Sequence, residues 1–327
     1  MIYSSFSSPK VAEVITTICL TILKKTNQSW KIVYSLLSLE EEEILDIYKK
    51  RKSIINKFEI NYKYNSLTHL FLHQIPEIND KDIYNAEKIL YKVLSEGWSI
   101  AFYNSEKYFR QWFPLKKQAP PLIFLKGPFC NHENNAGIAV VGTTQPSNDC
   151  VEITKQLVQL IVQLGAHHIS GGAHGVDKIG HNTAIESGGF TRVILPCGIL
   201  DYNIPYNWTQ AIDNSRMQII SPWIPSAKWE LSQAVRRNLF IASMARMGCI
   251  LQPSNKGGSF RVAQNLLARN LTVFVYNPQK FAKALKYVPK ALPLTTSTGK
   301  LNHSLIEQAI IKIKGFKEEP IKELFEE

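Results

Sequence analysis

The spacing of apolar residues changes near residue 97 and divides the chain into two parts. Before that point apolar side chains recur every three or four positions, as Val11, Val14 and Ile15 do. This is the spacing of one buried face of a helix. The pattern therefore predicts a small helical N-terminal domain over residues 1–96.

Beyond residue 97, short segments that are apolar throughout alternate with stretches of helical spacing. The segments that predict strands are IAFY (100–103), LIFL (122–125), GIAVVG (137–142), HHIS (167–170), RVILPCG (192–198), CILQP (249–253) and LTVFVY (271–276). Helices are expected at 148–164, 176–187 and 259–269. Strands that are apolar on both faces are typical of a parallel sheet covered by helices. We therefore predict an α/β, Rossmann-like domain over 97–280, with a mostly parallel sheet and helices on both faces, and a short tail, 281–327, with a helix at 302–314.

Composition narrows the class of protein. The 327 residues are 45% hydrophobic, and no stretch approaches the roughly 20 uncharged apolar residues that a membrane-spanning helix needs. We therefore expect a soluble, cytoplasmic protein with no membrane partner. Five cysteines lie far apart without a C-x-x-C pair, which argues against a zinc site or a disulfide framework. The formal net charge of +11 favours a polyanionic partner such as nucleic acid, although a lysine-rich surface alone would give the same charge.

Four polar segments fall where strands run into helices, the place at which open α/β sheets bind ligands. The first, GTTQPSND (142–149), has Gly142 at a tight turn, the hydroxyls of Thr143, Thr144 and Ser147, and a helix cap. Hydroxyls and unpaired backbone amides at the start of a helix suit a phosphate group. A plain capped turn would have the same residues, so both interpretations stay open.

The second segment, SGGAHGVDKIGH (170–181), is the richest in glycine, which lets backbone amides approach a ligand where a Cβ atom would block them. The residues predicted to contact phosphate here are Ser170, Gly171, Gly172, His174, Gly175 and Lys178. Asp177 and His181 are four apart on one helix face and are predicted to brace the loop. A metal site from His174, Asp177 and His181 would need a further ligand that the sequence does not supply, so no metal is predicted. Ser170 lacks the G-x-S-x-G context of a nucleophile, and no catalytic residue is predicted.

The third segment, AVRRNLF (234–240), places Arg236, Arg237 and Asn238 near the start of an apolar helix. Arginines in that position oppose the helix dipole, which makes sense if they face an anion. Two adjacent arginines on a solvated surface are the alternative.

The fourth segment, SNKGGSF (254–260), adds Lys256, Gly257, Gly258 and Ser259 to the predicted phosphate contacts. It lacks the G-x-x-x-x-G-K-[ST] order of a nucleoside triphosphatase, and the chain has no G-x-G-x-x-G, so no nucleotide cofactor is predicted. Several such turns on a basic protein suit an extended phosphodiester chain better than one small molecule.

The order of these motifs, from about Gly97 to Pro278, resembles the DNA-processing protein A (DprA/Smf) family. VVGTTQPS is similar to that family's V-G-S-R-x-x-S turn, SGGAHGVDKIGHNTAI to S-G-x-A-x-G-I-D-x-x-A-H, and RRNLFIASMARMGCILQPSNKGGSF to the region from R-N-R to S-G-S-L. The resemblance implies a Rossmann-like homodimer that binds single-stranded DNA and loads a RecA-type recombinase, without being an enzyme. Thr144, His174 and Leu239 stand where the family has arginine, and the family's optional winged helix is not expected in the tail.

The sequence thus predicts a single-stranded-DNA-binding recombination accessory acting in DNA uptake or repair. The alternative is a Rossmann-like sensor or hydrolase of a nucleotide-derived small molecule, for example in defence, because loss of arginines with retention of the glycine turns would fit a smaller ligand. A hydrolase of that type would need an acid that KGGSFRVAQNLL does not contain. A pure interaction scaffold would bind neither ligand.

Overall fold

The computed structural model describes residues 1–50, 78–105, 108, 119–128, 137–253, 257–276, 288 and 290–315, apart from the side chains of 46, 47, 50 and 315. The chain forms two compact units. The first comprises residues 1–125 with 197–202 and 221–228, and the second comprises 126–196, 203–220 and 229–327. The predicted boundaries at 96/97 and 280/281 stay predictions.

The first unit is built mainly from helices. Their bounds are α1 Pro9–Lys25, α2 Trp30–Leu36, α3 Glu41–Lys50 and α4 Asp80–Ser95. Helix α1 begins after Ser8, whose hydroxyl accepts a hydrogen bond from the amide of Val11, and Pro9 stands at its first position, where a missing amide hydrogen costs nothing. Helix α4 begins with a capping box between Asn79 and Asp82. Both caps satisfy amides that have no partner within the helix.

Three strands complete the first unit: β1 Ile2–Tyr3, β2 Ser99–Phe102 and β3 Leu122–Lys126, the last residue of which falls in the second unit. Strand β2 pairs with β1 in parallel and with β3 in antiparallel orientation. The core of this unit includes Ile15, Ile18 and Trp98.

The second unit is α/β. Its strands, in the described part of the chain, are β4 Gly137–Gly142, β5 His167–Ser170, β6 Thr191–Ile194, β7 Met217–Ser221, β8 Met247–Leu251, β9 Thr272–Tyr276 and β10 Leu292–Pro293. They lie in the order β7-β6-β5-β4-β8-β9-β10, and every neighbouring pair is parallel. The helices are α5 Asn148–Gln163, α6 Val176–Glu186, α7 Tyr206–Asp213, α8 Leu231–Met244, α9 Gly258–Ala268 and α10 His303–Gly315.

The predicted α/β fold with a mostly parallel sheet is confirmed, as is the helix near the C-terminal end. Helix α10 buries Ile306 and Ile310 in the core that α5 shares with β4, β8 and β9. Strand β7 and helix α7 were not among the predicted elements. No helix in the described residues is long and apolar enough to cross a membrane.

Candidate nucleic-acid interface

Two of the polar segments, 142–149 and 170–181, meet the end of β8 at one edge of the second unit's sheet. Strands β5, β4 and β8 are parallel neighbours, so their ends lie side by side, and we call this the carboxyl edge. The amide of Thr143 donates to the carbonyl of Leu251 over 3.1 Å, and the amide of Val176 donates to the carbonyl of Thr143 over 3.1 Å. The turns after β4 and β5 and the end of β8 therefore form one connected structure.

Two glycines allow these turns to approach each other. Gly175 has a φ of 75°, and a Cβ atom there would lie 2.4 Å from the carbonyl oxygen of Thr143. A Cβ atom on Gly142 would lie 2.3 Å from the carbonyl oxygen of Leu251. Any side chain would force the backbones apart. The glycines at these positions serve the contact between turns.

Asp177 holds the turn after β5 from within. Its carboxylate Oδ2 accepts hydrogen bonds from the amides of Gly171, over 3.1 Å, and Ala173, over 3.4 Å. Burial raises the pKa of Asp177 above its usual value, while Arg237, Ser170 and the two amides act in the opposite direction. The side chain is thus positioned as a loop brace.

Arg237 is the second buried charge at this edge, with 7% of its surface exposed. Its Nη1 donates to the carbonyl of Gly171 and, over 2.7 Å, to that of Ile194, and its Nε donates to Oδ1 of Asn238 over 3.2 Å. A Cβ atom on Gly258 would lie 2.9 Å from Nδ2 of Asn238. Arg237 and Asn238 therefore link the ends of β5 and β6 to the start of α9 and lie largely beneath the surface.

Ser147 and Gln252 connect the turn after β4 to the end of β8. The Ser147 hydroxyl caps α5 by accepting from the amide of Cys150 over 3.3 Å. Gln252 donates to that hydroxyl over 2.8 Å and accepts from the amide of Ser147 over 3.1 Å. Sequence reasoning missed Gln252, although a polar residue between an apolar strand and Pro253 was a signal.

The predicted phosphate contacts thus separate by exposure. The amides of Thr143, Gly171 and Ala173 donate within the protein, and the buried Ser170 hydroxyl donates to the carbonyl of Val140 over 2.7 Å. The predicted residues that reach the surface, wholly or in part, are Gly142, Thr143, Thr144, Ser147, Gly172, His174, Gly175, Lys178, Arg236, Gly257, Gly258 and Ser259. Lys256 lies outside the described residues.

His181 lies in the core rather than in the turn. Its Nδ1 is 2.7 Å from the hydroxyl of Thr191, and Nδ1 of His168 is 2.8 Å from the same oxygen. The imidazole packs edge-on against His168 and Trp208, with ring centroids 4.6 and 5.1 Å apart. Burial lowers the pKa of His168 to about 3 and that of His181 well below its usual value. Both rings are therefore neutral at neutral pH.

Among the described residues, no three or more histidine, cysteine, aspartate or glutamate side chains are grouped so that they could hold a metal ion. The carboxyl edge's exposed or partly exposed side chains include the hydroxyl of Thr144 and the cations Lys178 and Arg236, together with the carboxylate of Asp149 in the first turn of α5. Three helices, α5, α6 and α9, begin at this edge, and helix starts carry partial positive charge. This arrangement can hold an anion by hydrogen bonds and electrostatic attraction.

Comparisons of the sequence and of the fold with known proteins agree on one family. The family model described as DNA recombination-mediator protein A matches residues 99–309. Protein Smf from Synechocystis sp. is 26% identical over 160 residues, which are 47% of this chain and 40% of that protein. DNA processing protein DprA from Bacillus subtilis is 24% identical over 172 residues, which are 52% of this chain and 58% of that protein. The chain therefore aligns with about half the length of these relatives.

Two solved structures share the fold. DprA from Streptococcus pneumoniae has a TM-score of 0.57 at 18% identity, covering 84% of this chain and 96% of that one. DprA from Helicobacter pylori, a structure concerned with its single-stranded-DNA binding mode, has a TM-score of 0.54 at 21% identity, covering 66% of this chain and 96% of that one.

Proposed function

The chain belongs to the DNA recombination-mediator protein A family, as its motif order predicted, and we propose that it binds single-stranded DNA at the carboxyl edge. The observation that carries this proposal is that the turns after β4 and β5, the end of β8 and the start of α9 meet at one edge, where Thr144, Lys178 and Arg236 are wholly or partly exposed. A row of adjacent anion-binding turns suits a strand with a phosphate at every nucleotide.

The cations that we assign to the DNA backbone are Lys178 and Arg236. Lys178 lies in the first turn of α6, and Arg236 precedes the buried Arg237 in α8. Both side chains are partly exposed. Lys178 follows the turn after β5 closely in sequence, and His174 within that turn is exposed as well.

A base-stacking contact is assigned to Trp229. It immediately precedes the N-cap of α8 and has 57% of its surface exposed. An exposed indole ring is a platform on which bases of any sequence stack, worth about 1–3 kcal/mol per base. Such contacts suit a protein that binds strands without sequence preference.

The finer parts of the proposal concern partners and chemistry. We propose that the protein acts as a recombination accessory that delivers single-stranded DNA to a RecA-type recombinase, as a homodimer and without a catalytic step of its own. Family membership supports these parts of the proposal. They are proposed rather than carried over from the relatives because the aligned segments of the curated relatives span only about half of their length.

The proposal is tested by charge reversal with a matched control. Lys312 is exposed in the last turn of α10, next to Lys314, whose Nζ donates to the carbonyl of Leu164 beyond the far end of α5. In fluorescence anisotropy with a labelled oligothymidylate, Lys178→Glu should weaken binding about tenfold, and the salt slope should fall by about one contact. Lys312→Glu should leave both quantities close to wild type.

Equal effects of the two variants would refute the placement of the groove. The same proteins should be titrated with nucleoside monophosphates by calorimetry. Tight mononucleotide binding that is lost in Lys178→Glu, without detectable oligonucleotide binding, would instead establish the small-molecule sensor.

A further inference from the structure

A cleft lies on the α/β unit beside the start of α5. It encloses about 710 Å³ between the first two turns of α5, the end of β9 and a hairpin formed by residues 294–301. Clefts of roughly 300–1,000 Å³ are the usual size for small-molecule sites.

The walls of this cleft are fixed by backbone bonds and buried anchors. The amide of Leu294 donates to the carbonyl of Val275 over 3.0 Å, which attaches the hairpin to β9. Across the hairpin, the amide of Thr296 donates to the carbonyl of Lys300 over 2.8 Å. Leu294 and Leu301 are buried in the core below. The cleft is therefore preformed, which lowers the entropic cost of binding a ligand.

The two long walls carry different polar groups. Asp149 and Glu152 are three residues apart on α5, so their carboxylates share one face, and Gln156 donates to Glu152 over 3.0 Å. The opposite wall is the hydroxyl-bearing run from Thr295 to Thr298. Carboxylates, which accept hydrogen bonds, thus lie opposite hydroxyls, which both donate and accept them.

Tyr276 places a hydrogen-bond donor in the cleft. Only 3% of the residue's surface is exposed, and no described residue forms a hydrogen bond with its hydroxyl. The hydroxyl is not among the described polar atoms that are both buried and without a partner, so it reaches the open space of the cleft. Burial, with the neighbouring Cys150 and Asp149, raises the pKa of Tyr276, so the hydroxyl keeps its proton at neutral pH. It can therefore donate to a ligand in the cleft.

The charges select the ligand class. Two carboxylates against Lys300 give the lining a net negative charge, which disfavours phosphate groups and a DNA strand. A polyamine would satisfy the carboxylates, but it has no acceptor for Tyr276 or Lys300. A neutral molecule with adjacent hydroxyl groups can donate to the carboxylates and accept from Tyr276 or Lys300, because each hydroxyl can both donate and accept.

We infer that this cleft binds a neutral ligand bearing a ribose-type vicinal diol, whose hydroxyls donate to Asp149 and Glu152 while an oxygen of the ligand accepts from Tyr276. The ligand can be a free sugar or a nucleoside, since both present the same diol. This site adjoins the carboxyl edge at the start of α5 but shares no residue with the proposed DNA contacts, so different variants test the two proposals.

The test uses the full chain and saturation-transfer NMR, followed by calorimetry. The probes are methyl riboside, adenosine, 2′-deoxyadenosine and adenosine monophosphate. Adenosine should bind at least about tenfold more tightly than 2′-deoxyadenosine, which lacks one hydroxyl of the diol, and more tightly than the monophosphate. If methyl riboside binds as tightly as adenosine, the cleft is a sugar site. If methyl riboside binds much more weakly than adenosine, the cleft is a nucleoside site.

Conservative variants exclude an indirect effect. Tyr276→Phe removes one hydroxyl and should weaken adenosine binding about three- to tenfold, whereas Tyr206→Phe, at an exposed tyrosine on α7, should not. Oligothymidylate binding by Tyr276→Phe should equal that of wild type. The inference is overturned if no probe binds, if the monophosphate binds more tightly than adenosine, or if Tyr276→Phe binds adenosine as wild type does.

Discussion

The guanidinium of Arg237 occupies the space that a side chain at residue 171 would need: a Cβ atom on Gly171 would lie 2.0 Å from Nη1 of Arg237. The same nitrogen donates to the carbonyls of Gly171 and Ile194. An arginine that sequence alone assigns to the DNA surface is thus built into the framework that holds the turns.

Arg237→Lys should lower the free energy of unfolding by about 3 kcal/mol. A lysine ammonium cannot reproduce the planar set of donors, so buried carbonyls lose partners in a site of low dielectric. Arg261→Lys, at an exposed position on α9, is the matched control and should change stability by less than about 0.5 kcal/mol. Urea unfolding followed by circular dichroism measures both. Equal stability of the two variants would mean that Arg237 does not hold the turns.

Ser147→Ala should lower the free energy of unfolding by about 1–2 kcal/mol, because it removes the cap of α5 and the bond to Gln252. Thr144→Ala, at an exposed position in the same turn, should leave stability unchanged. Thermal unfolding of the two variants makes the comparison. If Ser147 were only a phosphate ligand, its variant would keep full stability and lose DNA affinity.

Stability should fall as the pH drops from about 6.5 toward 4. Burial lowers the pKa of His167 to about 4 and of His168 to about 3, below the ordinary 6.5. In this window the unfolded chain takes up protons that the folded chain excludes, so each histidine removes up to about 1.4 kcal/mol per pH unit. Above 6.5 these groups contribute no pH dependence.

His181→Asn tests whether buried histidines cause this loss of stability at low pH, because asparagine can still form a hydrogen bond with Thr191 but does not titrate. The slope of unfolding free energy against pH should become shallower by about one proton in this variant. His303→Asn, at an exposed histidine on α10, should keep the wild-type slope. A slope that His181→Asn leaves unchanged would mean that His181 does not contribute to the pH dependence.

Much of the fold could be predicted because parallel strands buried on both faces are nearly continuous apolar runs, as GIAVVG is. Strand β7 escaped prediction because Gln218 interrupts its apolar pattern. That glutamine is fully buried, and its Oε1 accepts from Nε of Arg192 on β6 over 2.7 Å, while its Nε2 donates to the carbonyl of Pro128 over 2.8 Å. Partners so distant in sequence are invisible to local periodicity.

The sequence predicted the turns that meet at the carboxyl edge, but it did not distinguish their buried residues from their exposed ones. Glycine, hydroxyl and helix-start signals are local, so they identified the turns. Whether a residue faces solvent depends on what packs over it, and Arg237 and Gly171 are 66 residues apart. Adjacent residues with the same chemistry, Arg236 and Arg237, therefore have different environments that only the folded chain distinguishes.

The central claim, that the carboxyl edge holds a chain of phosphates, is tested most directly by a salt series on wild-type protein with matched single- and double-stranded oligonucleotides. Between about 50 and 200 mM salt, the logarithm of single-strand affinity should fall linearly with the logarithm of salt concentration, by about 0.7 per phosphate contacted. Duplex binding should be weaker at every concentration. Undetectable single-strand binding, or an affinity that does not change with salt, would contradict the account.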